Sequence, residues 1–142
     1  MKELVKGALL MFFYALSGSQ KKSFLSLAFA LIRSDGIVTS DEDKAFAILQ
    51  AETGVDGRVE PAELSQIPSI TGTFDTRQAK VSVTLELIGL GHADSHFSIE
   101  ESSIVNEIGR CFDFDPAEIA TMENWVLRHL ALVREAERFW EQ

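Results

Sequence analysis

Ser34-Asp35-Gly36-Ile37-Val38-Thr39-Ser40-Asp41-Glu42 returns 59 residues later as Ala93-Asp94-Ser95-His96-Phe97-Ser98-Ile99-Glu100-Glu101. Each copy sets an Asp before a small residue, then an apolar residue and a Thr or Ser, and ends on a Glu seven positions after the Asp. An apolar stretch precedes each copy (Phe24 to Ile32, Val83 to Leu90) and another follows (Ala45 to Leu49, Ile104 to Ile108). Helix, acidic turn, helix, said twice, predicts an all-α domain with an internal pseudo-two-fold duplication.

Working outward from the two turns gives about seven helices. An apolar first helix runs over about 2–16 and closes at Gly18. Repeat 1 spans about 20–54, a connector 55–75, repeat 2 about 76–114, and a C-terminal helix about 116–140. Thr39-Ser40-Asp41-Glu42 and Ser98-Ile99-Glu100-Glu101 both read as capping boxes, S/T-x-x-E, and Asp115-Pro116 reads as a cap with proline at the first helical position. Pro61 suits the start of a short helix through Gln66, with Pro68, Gly72 and Asp75 marking the rest of the connector. Over Lys80 to Ile88 the residues Val81, Val83, Leu85 and Leu87 alternate with polar ones, which is strand spacing. The matching stretch of repeat 1, Lys21 to Phe29, reads as helix, and this one is taken as helix with it. In the last helix Ile119, Met122, Val126, His129, Val133, Ala136 and Trp140 recur at steps of three and four.

The chain has 142 residues, 46% hydrophobic and 25% charged, the balance of one globular domain. Its net charge of −9 opposes nucleic acid and anionic lipid and favours cations and basic partners. A single cysteine, Cys111, excludes an intrachain disulfide and a cysteine metal cage, in keeping with a cytoplasmic setting. Ala8 to Leu16 is continuously apolar behind Lys2 but too short to span a bilayer. It reads as a buried helix, with membrane contact through helix 1 or a signal segment as the minority alternatives.

Asp35 and Glu42, with Asp94 and Glu101, are the candidate site. Each pair lies across a helix-turn-helix, and two such turns facing one another would bring four carboxylates together. Hard cations take several oxygen ligands at roughly 2.0–2.6 Å, and a bound cation would offset the mutual repulsion. The structural alternative is plain: a Glu at the third helical position bonds back to its own cap, and Asp-Gly is turn chemistry. An EF-hand is excluded, because with Glu42 at loop position twelve the first and third positions would be Leu31 and Arg33, and in the second copy Leu90 and His92.

The twice-used pattern of apolar helix, Ala/Ser-Asp-Gly-x-apolar-Ser/Thr-x-x-Glu, apolar helix resembles the TerB-like family, which includes the tellurite-resistance TerB proteins and the N-terminal domain of the DjlA co-chaperone. The resemblance covers about residues 20–140. It implies an all-α, pseudo-two-fold fold of about seven helices, and a divalent-metal site drawn from both repeats, here Asp35, Glu42, Asp94 and Glu101. It also implies a non-catalytic role in a stress or tellurite response. The second copy departs from the pattern, with Ser95 at the glycine position followed by His96.

Elsewhere the chain offers little chemistry. His92, His96 and Glu100 are spaced by four, a zinc spacing on one helix, but the turn at Ala93 to Phe97 interrupts it. His129 reads as a hydrogen-bonded, half-buried histidine, Cys111 as a small core residue, and Trp125 and Trp140 as packing or rim residues. No nucleophilic triad, phosphate loop or nucleotide fingerprint is present. The expectation is a non-enzymatic domain binding a divalent cation. A metal-free protein-interaction module is the first alternative, and a metal-dependent hydrolase with His96 as base the second.

Overall fold

A computed structural model describes residues 12–34, 40–93 and 97–141; of residues 40–42 only the helical backbone is described. Among the described residues there are six α-helices and no strand. They are α1 (Gly18–Ile32), α2 (Ser40–Thr53), α3 (Ile67–Thr71), α4 (Arg77–His92), α5 (Ile99–Cys111) and α6 (Pro116–Arg138). Three-residue 3-10 turns lie at Phe13–Ala15, Leu64–Gln66 and Phe139–Glu141. No helix among the described residues is long and apolar enough to cross a membrane. Most of the helix expected over 2–16 lies outside the described residues.

α1 and α4 form the centre and pack on one another. Both are covered nearly all round, the mark of a core helix: α1 buries Phe24, Leu25, Leu27, Ala28, Phe29 and Leu31, and α4 buries Val83, Leu87, Ile88 and Leu90. The strand-like alternation of α4 has its explanation here. Its polar positions Ser82, Thr84 and Glu86 are as enclosed as its apolar ones, Glu86 at 4% exposure. The Thr84 hydroxyl donates to the Lys80 carbonyl at 2.7 Å, which settles a buried hydroxyl within the helix itself, and Glu86 also has a partner. α2 packs on α1, with the Phe46 ring stacked on Phe29 at 4.4 Å, while α5 and α6 pack on α4.

Several helix ends recur at the spacing of the sequence motif. Ser17 and Thr76 are both N-caps whose side chains accept from the third helical N–H. α1 and α4 begin at Gly18 and Arg77, and α2 and α5 begin at Ser40 and Ile99. After α2 comes Gly54 at φ 70°, and after α5 comes Asp113 at φ 61°, the left-handed residues that close a helix. At the second of these the Phe114 N–H reaches the Gly109 carbonyl at 2.9 Å and the Asp113 N–H reaches that of Arg110 at 3.1 Å, a Schellman closure.

Three expected boundaries move. Gly18 does not close a preceding helix; it is the first residue of α1, behind the Ser17–Gln20 capping box. The short helix does not start at Pro61. That residue is in coil, the turn begins at Leu64, and Pro68 sits in the first turn of α3, where a missing N–H costs nothing. The C-terminal stripe is covered only over its first part: Val126 and Leu130 are buried, but Trp140 is 79% exposed.

The connector is strapped to α1 rather than looping free. The Ala62 N–H donates to the Ser26 carbonyl at 3.0 Å, the Ser26 hydroxyl donates to the Glu60 carbonyl at 2.8 Å, and Val59 enters the core. At the other end of α4, Gly91 admits the Phe97 ring, which also lies on the His92 ring at 4.3 Å. A Cβ at residue 91 would stand 2.5 Å from two atoms of that ring. Gly91→Ala is therefore expected to destabilise the protein by about 1–3 kcal/mol despite alanine's better helix propensity, and Gly91→Ala with Phe97→Leu to recover part of the loss. Urea denaturation of the single and double variants checks both.

Candidate functional site

α1 ends at Ile32 and the chain reaches the first acidic turn through Arg33 and Ser34; α5 begins at Ile99 just after the second. These two ends border one cleft of about 440 Å3. Its lining takes Ala30, Arg33 and Ser34 from the end of α1 and Ile99, Glu100, Ser103 and Ile104 from the start of α5. The third contributor is the connector, Pro61 to Leu64, held in place by its bonds to Ser26. Ala30 and Ile104 are buried at its base, whereas Leu64 and Ile99 stand on its banks at 71% and 80% exposure.

Of the four candidate ligands, Asp35, Asp94 and the side chain of Glu42 lie outside the described residues, as does the Thr39–Glu42 box. Glu101 is described, and it closes the expected capping box: its Oε1 accepts from the Ser98 N–H at 2.8 Å while the Ser98 hydroxyl accepts from the Glu101 N–H at 3.1 Å. It thus sits at the positive end of the α5 dipole. A carboxylate has two oxygens and several lone pairs, so one box bond does not preclude a second partner. Among the described residues no three His, Cys, Asp or Glu side chains group as metal ligands do.

Charge around the cleft is unevenly placed. Arg33 is half-buried, its guanidinium 5.2 Å over the Phe46 ring, with Nε enclosed and lacking a hydrogen-bond partner. Behind it the Arg58 guanidinium, hydrogen-bonded to Glu60 at 2.6 Å, holds that carboxyl below the ordinary carboxylate range, and the Arg33 charge adds a weaker pull. On the cleft's own rim stand Glu63 and Glu100.

The histidine spacing does not form a zinc site on one helix: α4 ends at His92, and Glu100 belongs to α5, while His96 lies outside the described residues. His92 instead pairs with Glu123 of α6 at 2.7 Å, fastening the exit of α4 to the C-terminal helix. His129 is stacked on Trp125 at 5.4 Å, and its Nε2 is enclosed without the hydrogen bond expected of it. Cys111 is half-buried, its Sγ 3.8 Å from a Glu107 oxygen.

The sequence pointed to the turns and missed the cleft between their flanks. One signal was there. Ile99 lies about 140° around a helix from Ile104 and about 180° from Ile108, so it has no place on the buried face. Leu64, in a polar stretch of the connector, carried no comparable mark. No protein-family model, curated protein or solved structure matches the chain.

The capping box sets a measurable baseline for Glu101. Ser98→Ala is expected to cost about 1 kcal/mol, and Glu101→Gln, which keeps the acceptor and gives up only the charge, about 0.5 kcal/mol. Denaturant midpoints at unchanged slope read both. Glu101 also has a partner beyond the box, and a larger loss for Glu101→Gln than for Ser98→Ala would measure that engagement.

Proposed function

We propose that this chain is a non-catalytic accessory domain of TerB-like kind, built by internal duplication, which holds a divalent cation between its two acidic turns. The residues assigned to the cation are Asp35 and Glu42 from the first repeat and Asp94 and Glu101 from the second. One observation carries the reading: the residues next to both turns, Arg33 and Ser34 on one side and Ile99 and Glu100 on the other, border the same cleft. The recurrence of caps, helix starts and left-handed closures at the motif's own spacing supports the duplication.

The chemistry is that of a hard cation. Carboxylate oxygens are the ligands such ions take, and a net charge of −9 attracts cations to the surface as a whole. A role in a stress or tellurite response follows from the resemblance alone. A second reading, a protein-interaction module, is favoured by the exposed Leu64 and Ile99 on the banks of the cleft.

Isothermal titration of the metal-free protein with calcium, magnesium, manganese and zinc decides the first reading. The expected result is one saturable site for at least one ion, weakened by about tenfold or more in Glu42→Gln with Glu101→Gln, with helix content unchanged. An absence of heat with all four ions, or equal binding by the double variant, would overturn it and leave the interaction module.

A further inference from the structure

We propose that the cleft between α1, the connector and α5 is a docking site for a basic amphipathic segment of a partner protein, whose apolar ridge seats between Leu64 and Ile99. The inference does not depend on a cation at the turns. It starts from two large aliphatic side chains, Leu64 and Ile99, left 71% and 80% exposed on the lining of one cleft that also holds Ala30, Pro61, Ala62 and Ile104. Folding leaves scattered apolar side chains on any surface, but two on the lining of one cleft are what a ridge of side chains would cover together. A volume of about 440 Å3 lies within the range of small-ligand pockets. Yet a small ligand at the base would leave both banks wet. A peptide helix laid along the groove would bury base and banks together, as helix-in-groove recognition does.

Charge selects the occupant. Among the described residues the one cation on the cleft's lining, Arg33, lies over the Phe46 ring and acts on the Glu60 charge. Glu63 beside Leu64 and Glu100 beside Ile99 put an acid next to each apolar bank, on a chain whose net charge is −9. A partner with leucine-like anchors flanked by Lys or Arg meets both features, whereas an acidic partner or an anionic lipid surface meets repulsion. Rim charges of this kind act on encounter and specificity, and the two apolar banks are where the affinity concentrates.

The test uses three fluorescein-labelled peptides of equal length. One is an amphipathic leucine/lysine helix, the second has its leucines replaced by serine, and the third has its lysines replaced by glutamate. Fluorescence anisotropy with the full chain is expected to show the leucine/lysine peptide binding at least about tenfold tighter than either control. Leu64→Asp and Ile99→Asp, both at exposed positions and so without cost to the core, are each expected to weaken it about tenfold; Leu132→Asp, exposed on α6, is expected to leave it unchanged. Amide chemical-shift changes are expected at Leu64, Ile99 and Ser103. Equal binding of the serine control would reduce the effect to bulk charge and overturn the proposal. So would unchanged affinity in both cleft variants, or loss of affinity in Leu132→Asp. Self-association that Ile99→Asp abolishes, with no peptide bound, would overturn it in favour of a second copy of this chain.

Discussion

The contact of α1 with α4 is the constraint around which the rest of the molecule is arranged. Burying a Leu, Ile or Phe side chain fully is worth about 1.5–3 kcal/mol, and these two helices supply most of the side chains sealed from water. A helix covered on nearly every side needs neighbours on every side. α2, α3 and α5 flank α1, and α5, α6 and the Phe13–Ala15 turn flank α4. α1 leads into Arg33 and Ser34, and α5 starts at Ile99, so the packing of these helices fixes where those residues stand. The exits of α1 and the entrance of α5 come to one cleft as a consequence of core packing, whether or not any ligand is present.

The same constraint explains what the sequence disclosed and what it did not. Helix existence was legible wherever caps and periodicity agreed: Ser98–Glu101, Asp115–Pro116 and Gly54 mark real ends. It was ambiguous in α4 because periodicity reports one-sided burial, and α4 is buried on all sides. It misled at Gly18, where a glycine after an apolar run looks like a helix end although the serine before it and the Gln20 after it form a cap for the next helix. It misled again at Pro61, since proline suits coil as well as a first turn, and the connector's course is set by hydrogen bonds to Ser26 that no local pattern encodes. At the candidate site residue types and spacing suffice to name carboxylates. The cleft is a meeting of three segments distant in sequence, and only the out-of-phase Ile99 announced it.

Glu101 shows why a capping residue and a ligand are not exclusive assignments. Its box bond holds the first turn of α5 and lowers the entropy that a cation would otherwise have to remove from a mobile side chain. A cation drawing on the same carboxylate would weaken its acceptance from Ser98, so binding and the stability of the α5 start become linked quantities. The linkage is small, because a cap is worth about 1 kcal/mol and only part of it is at stake.

The two proposed ligands are of the same sign, and this sets their relation. A divalent ion held at the turns would reduce the negative potential over Glu100 and Glu63, which lie on the cleft those turns adjoin. At physiological ionic strength charges act over about 8 Å, far enough for a cation held by Glu101 to act on Glu100 beside it. A basic segment would then dock less well on the cation-loaded protein than on the free one. By reciprocity of binding free energies the docked segment would weaken the cation by the same factor. An ion at the turns would thus release a partner rather than recruit one. That direction follows from the signs of the charges alone and needs no change of shape in the helices between them.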